Sequence, residues 1–520
     1  MKRKKTFFIT TAIDYTNAPP HIGHAYEKVL ADVIARYNRQ LGEQVFFLIG
    51  VDQHGQKVQQ SAEREGVAPQ EFADRISAKF ISLWESMGIS YDEWAATTAL
   101  IHKKAVQSIL SDLRDRDWLY KATYKGHYSI RQEQFLTDKE RGPDGEFGPE
   151  WGEVVFLEEE NWYFRLSRCT GWLAGFLEKH SDFVTPGFRQ TELINAAAKI
   201  NGDLCVSRPK NRLSWGIELP FDPDFVTYVW FDALINYISF AGYGGEESGA
   251  FETRWPCDYH VIGKDILIPA HGVYWPCILH AMGFRDEQMP KLLVHGFWSL
   301  RGEKVSKSTG NVVDPAELVA TYGSTALRYY LMRDAVTGYD ADFSEERLIM
   351  RHNTELGNGI GNLVNRTLSM TRRYRDGSPR RVAMPADLSA HLDADTEALV
   401  KFTIAISETY QIHHGLEIMV DVVNRSNALV DIAAPWKLAK DPTQADRLDA
   451  VLATLIISSR TAATMLLSVV PEAAAEILRQ LNLEPLTLLG GNREVSPLPD
   501  GYRCGEPKPV FPRLELPDAA

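Results

Sequence analysis

Cysteine is scarce in this chain: there are five in 520 residues, at positions 169, 205, 257, 277 and 504. No two form a Cys-x-x-Cys pair, so neither a disulfide framework nor a zinc knuckle is indicated, and a reducing cytoplasm fits best. A basic excess is missing as well. Lys and Arg total 56 against 69 Asp and Glu, a formal net charge of −13. A generally basic nucleic-acid coat is excluded, and any polynucleotide contact must use a local patch. No clean membrane-length apolar run is present. The stretch 452–470 carries Arg460 and several Ser and Thr, and reads as a buried core helix. The basic run Lys2 to Lys5 is followed by only seven apolar-rich residues before Asp14, with no small-residue cleavage site. That segment is expected to be a first strand and not a secretory signal. Repeats and low-complexity tracts are absent. What remains is ordinary globular composition, 44% apolar and 24% charged. The length allows about three or four domains at roughly 150 residues each.

Phe7 to Ile13 is aromatic and β-branched. Apolar residues then fall at 25, 29, 30, 33, 34, 37 and 41, the spacing of an amphipathic helix, with Gly42 suited to its C-terminal cap. Val45 to Val51 is a second apolar run. Strand, helix, strand at this spacing predicts a βαβ unit and a parallel sheet. Ligands of such sheets sit at the carboxyl ends of the strands, where Asp14-Tyr15 and Asp52-Gln53-His54 fall. From 120 to 225 the rhythm breaks, and Lys139 to Trp151 is rich in Gly, Pro and acid. This region is expected to be an insertion. Strand signals return at Phe225 to Phe231, Tyr259 to Ile262 and Leu292 to His295. Beyond about 345 helical patterns dominate. The predicted architecture is α/β. A split, Rossmann-like parallel-sheet catalytic domain (1–119 and 226–345) surrounds an inserted subdomain (120–225). An all-α bundle with an extended tail follows (346–520).

Two segments carry chemistry. His21-Ile22-Gly23-His24 sits between the first strand and its helix. Helix N-terminal N–H groups attract phosphate. Gly23 lets a flat ring approach, and paired imidazoles can donate to growing phosphate charge. Glu303 to Asn311 reads EKVSKSTGN, placing Lys304 and Lys307 between Gly302 and Gly310. Lysines on a mobile loop suit a polyphosphate. Each segment alone has a bland reading, an inert turn or a solvated basic loop.

Together they resemble the HIGH and KMSKS segments of the class I aminoacyl-tRNA synthetases, with Val305 in place of Met. Within that class the chain is similar to the methionyl branch. Gly50 to Lys57 (GVDQHGQK), Tyr228 to Ala233 (YVWFDA) and His260 to Ile266 (HVIGKDI) match that branch's segments. So do Leu363 to Thr367, Ala434-Pro435-Trp436 and Phe511-Pro512-Arg513. There are departures. The segment after Ile266 is one residue longer than usual, so His271 is assigned as the pocket histidine although Ala270 occupies the ungapped position. Leu234 stands where some relatives have Pro. Tyr124 to Trp151 lacks the Cys pairs of many relatives.

The resemblance implies ATP-dependent ligation of L-methionine to tRNA(Met) through methionyl-adenylate. It assigns His21, His24, Lys304 and Lys307 to catalysis. Gly23, Lys264, Asp265, Ser306 and Ser308 are assigned to ATP, brought with Mg²⁺. Ile13, Tyr15, Asp52, Trp230, Ala233, Leu234, Tyr237 and His271 are assigned to methionine. Asn362, Arg366 and Trp436 are assigned to the anticodon. Asp52 suits an ammonium group, and a thioether packs well against aromatic edges. The six Arg from 366 to 381, with one Asp, offer a local basic patch for RNA. No structural zinc, no membrane and a cytoplasmic monomer are expected, the last because no C-terminal dimerising domain is recognised. Two other readings are a non-tRNA nucleotidyltransferase, which shares the HxGH segment, and a catalytically dead tRNA-binding relative.

Overall fold

The computed structural model describes residues 6–129, 134–136, 141–142, 144–200, 202–245, 249–300, 303–304, 313–488 and 495–516. Its main sheet has seven strands, numbered here in chain order. They are β1 (Phe7–Thr11), β2 (Asp14–Tyr15), β3 (Val45–Asp52), β4 (Glu93–Ala96), β5 (Val184–Thr185), β6 (Tyr259–Gly263) and β7 (Lys291–His295). All pairings are parallel, in the order β2-β3-β1-β6-β7-β5, with β4 also on β3. The predicted βαβ unit is β1, helix α1 (Ile22–Gln40) and β3, and the segment once resembling a signal is the buried strand β1. Gly42 closes α1 at φ 81°, a conformation that side chains with a Cβ disfavour.

Residues 120–225 do not all stand apart from this sheet. Val184–Thr185 pairs with Leu292–Leu293 and forms the far edge of the main sheet. A strand of two residues gives no periodic signal, so the sequence could not reveal it. The insertion's other described strands pair antiparallel, beside the helices Thr170–Lys179 and Gly187–Ala197. Leu119–Ser129 pairs along its length with Val154–Phe164, and Ser207–Pro209, Glu218–Leu219 and Asp222–Thr227 form a smaller sheet.

The helical bundle comprises Asn362–Arg375, Ala386–Ser407, Ile412–Ala433, Ala445–Leu466 and Pro471–Leu481. The helix Pro442–Leu466 has membrane-like length and hydropathy, but 89% of that window is buried, as expected for a core helix. Bundle and sheet share one hydrophobic core, running from Val29, Val33 and Tyr37 to Phe402, Leu416 and Leu455. Buried Arg328 spans the seam. It donates to Asp32 Oδ2 (2.6 Å), to the Met87 carbonyl (3.1 Å) and to the Val469 carbonyl (2.7 Å). A buried arginine is tolerated because its N–H groups find acceptors.

The arginine run is a correction to the sequence reading. Arg366 pairs with Asp431, Arg372 with Glu506, Arg375 with Asp449, Arg380 with Asp446 and Asp449, and Arg381 with Asp500. Acids distant in sequence cancel most of the charge, so counting charge along one segment overstated the patch.

Candidate active site

The HIGH segment starts α1, and its two histidines cap each other's backbone. His21 is the N-cap. Its Nδ1 accepts from the Gly23 N–H (3.1 Å), while His24 Nδ1 accepts from the His21 N–H (3.1 Å). This is a capping box made of imidazoles. Because both Nδ1 atoms accept from amides, the ring protons sit on both Nε2 atoms, which are left as donors. The rings stack at 3.8 Å. A Cβ on residue 23 would lie 3.0 Å from His21 Cε1, so glycine there lets the first ring fold back.

Two cavities open side by side where β1, β3, β6 and β7 end. One, of about 330 Å³, includes His21, Gly23, His24, Asp265 and His295 in its lining. The other, of 260 Å³, is lined by all eight residues assigned to methionine: Ile13, Tyr15, Asp52, Trp230, Ala233, Leu234, Tyr237 and His271. The cavities share Ala12, Ile13, Tyr15 and Ile266. Lys57, quoted within its motif but given no role, also lines the second.

The extra residue after Ile266 is absorbed in a π-helical turn, Leu267–Tyr274. The His271 N–H reaches back five residues to the Ile266 carbonyl (3.1 Å), the bond that one added residue creates. This turn brings His271 to the cavity. Its Nδ1–H also donates to the Ile266 carbonyl (2.9 Å), so Nε2 accepts from the Tyr237 hydroxyl (2.8 Å). Burial drives its pKa down to about 4, against the opposing pull of that carbonyl. The ring is therefore neutral at pH 7.

Asp52 ends β3, 5% exposed. It accepts from Thr97 Oγ1 and from the His54 N–H, each at 3.3 Å. Behind it runs a polar chain that the sequence reading missed. His54 Nδ1–H and His102 Nε2–H both donate to Asp232, each at 2.7 Å, and Ser239 Oγ closes on His102 Nδ1 at 2.9 Å. Burial opposes charge on Asp232, but the imidazoles outweigh it and hold the carboxyl below its ordinary range. His102 and His54 lie 130 and 178 positions from Asp232 along the chain, and only the fold joins them.

Other assigned residues lie elsewhere. Lys264 is bound to Asp340 (2.7 Å), lies over the Phe297 ring and lines neither cavity. Its expected place among the phosphate ligands is not supported by this position. Lys304 belongs to a short strand, Glu303–Lys304, paired with Ser299–Leu300. Ser306, Lys307 and Ser308 lie outside the described residues. In the bundle Asn362 is exposed, Arg366 is half-buried and Trp436 is 39% exposed.

A parallel sheet split by an insertion, with a histidine-capped helix at its ligand edge, is the arrangement of a class I aminoacyl-tRNA synthetase. The family described as tRNA synthetases class I (M) matches residues 7–144 and 152–368. A methionine–tRNA ligase of Deinococcus radiodurans is 40% identical over 92% of this chain and 70% of its own length. One of Fusobacterium nucleatum is 37% identical over 99% and 80%. The Mycobacterium tuberculosis methionyl-tRNA synthetase in complex with methionyl-adenylate superposes with a TM-score of 0.91. It is 36% identical, covering 98% of this chain and all of that one. The chain belongs to the methionyl family of class I synthetases.

Proposed function

We infer that the chain joins L-methionine to tRNA(Met) at the expense of ATP, by way of methionyl-adenylate. The shared wall of the two cavities carries this reading. Methionine in the aromatic cavity, with its ammonium on Asp52, directs its carboxylate across Ile13 and Tyr15 to the α-phosphate of ATP. The carboxylate is already charged, so the first step needs no base, only positioning and charge stabilisation. His21 and His24 donate Nε2–H to the phosphates. Lys304 and Lys307, with Ser306 and Ser308, serve the β- and γ-phosphates, and Mg²⁺ arrives with ATP, held mainly by phosphate and water. The tRNA's terminal adenosine hydroxyl then takes the methionyl group. The enzyme acts as a cytoplasmic monomer. ATP–pyrophosphate exchange over a panel of amino acids tests the reading. Methionine alone should support it, and exchange with no amino acid, or none at all, would return it to a nucleotidyltransferase or an inactive relative.

Trp436 follows Pro435 at the start of a short helix, with Ile432, 83% exposed, one turn before it. An exposed ring there suits an unpaired anticodon base, whose stacking is worth about 1–3 kcal/mol. Trp436→Ala should cut charging of tRNA(Met) at least about tenfold while exchange without tRNA stays near wild type. Equal loss of both activities would make Trp436 a packing residue.

Among the described residues, no three His, Cys, Asp or Glu side chains cluster to hold a metal. With no Cys from Ala122 to Arg168, chelator treatment followed by Mg²⁺ should restore full activity and leave the melting temperature unchanged. Tightly held zinc at one per chain in elemental analysis would contradict this.

A further inference from the structure

The floor of the nucleotide cavity holds charges that the reading above does not use. Lys28 is fully buried, and its ammonium donates to the Ala12 carbonyl (3.0 Å), Asp14 Oδ1 (2.9 Å) and Glu27 Oε1 (3.0 Å). All three of its protons are thereby placed. Asp14 and Glu27 both line the cavity. Glu27 Oε2 lies 3.1 Å from His295 Nε2. Asp14 is 4% exposed, and its Oδ2 is buried with no hydrogen-bond partner among the described residues. A buried carboxylate oxygen left without a donor is costly, which points to a donor supplied by a ligand.

Its position narrows the ligand. Asp14 lies between Ile13 and Tyr15, which line both cavities, yet Asp14 lines only the nucleotide side. The carboxyl thus borders the seam where the methionyl carbon meets the phosphate. A phosphate oxygen brings no proton to that carboxylate, whereas a ribose hydroxyl does. We propose that Asp14 Oδ2 receives the proton of the terminal adenosine hydroxyl in the transfer step, an inference that rests on the function inferred above. The hydroxyl oxygen bonds to the methionyl carbonyl carbon. The bond from that carbon to the phosphate oxygen breaks, and AMP leaves with the electron pair. The hydroxyl proton passes to Asp14 and is released to solvent with the products. Lys28, fixed on Oδ1, holds the carboxyl plane.

Burial raises the Asp14 pKa to about 7, with Lys28 pulling it down and Glu27 pushing it up. A base poised near working pH is the efficient kind. Other titratable groups facing it are His21 and His24 on α1, Asp265 after β6, His295 at the end of β7, and Asp52 beside Tyr15 in the β2–β3 register.

Asp14→Asn in the full chain tests the assignment by rapid quench. Adenylate formation and transfer from preformed enzyme-bound adenylate to tRNA are timed separately. Transfer should fall at least about tenfold more than adenylate formation. The wild-type transfer rate should rise through about pH 7, and the variant should lose that rise. If Asp14→Asn fails to fold, the double variant Asp14→Asn with Lys28→Met removes both buried charges, and the same split is expected. Equal effects on both steps, no effect on either, or an unchanged pH profile would overturn the proposal. Wild type lacking methionine-dependent exchange would instead defeat the functional reading beneath it.

Discussion

Asp52→Asn should lower kcat/KM for methionine in pyrophosphate exchange by about two to three and a half orders of magnitude, chiefly through KM. The substitution keeps the shape at the end of β3 and the contacts with Thr97 and the His54 N–H, which reach Oδ1. It removes the charge proposed to pair with the substrate ammonium in a cavity walled by Trp230, Tyr237 and Leu234. Removing one partner of a buried ion pair costs about 3–5 kcal/mol, because the other charge stays desolvated. At about 1.4 kcal/mol per decade this gives the stated range. Steady-state exchange as a function of methionine concentration reads it. A loss confined to kcat, with KM unchanged, would show that Asp52 serves the chemistry and not the ammonium.

His24→Asn should slow adenylate formation by about 10²- to 10³-fold, the usual cost of one lost donor to a developing charge. The asparagine amide oxygen can take the place of Nδ1 and keep the bond from the His21 N–H. It has nothing at the Nε2 position. His24→Ala should be equally slow and, having also lost the cap, less stable by about 1 kcal/mol. Single-turnover rates and thermal melts on the two variants separate the roles. Should His24→Asn keep wild-type speed, the imidazoles are caps only.

The sequence made the site legible where chemistry is local. A strand, four residues and a helix N-terminus placed His21 and His24, and motif matching gathered eight residues that now line one cavity. It failed where partners are distant. Asp232 stood inside a quoted segment, but nothing marked His102 as its neighbour. Glu27 and Lys28 were also passed over, and Asp14 was placed at a strand end without a role of its own. The apolar spacing of α1 implied a polar outer face, whereas this helix is covered nearly all round, so its charges pair internally. His271 lines the cavity by way of one backbone bond to Ile266, which spacing alone does not reveal.

Helix α1 begins at the paired imidazoles and, 19 residues later, ends against the bundle. At about 1.5 Å per residue it is a rod of roughly 28 Å. Near its far end the Tyr37 hydroxyl meets Thr403 Oγ1 at 2.7 Å, and Asp32 midway is gripped by Arg328. The same stiff body therefore sets both the aim of the two Nε2–H groups and the seating of the helices behind them. A misfit at the distant joint would be felt as a tilt of the two imidazoles. Repacking Phe402 or Thr403 belongs among changes to the speed of the enzyme, and not only to its endurance.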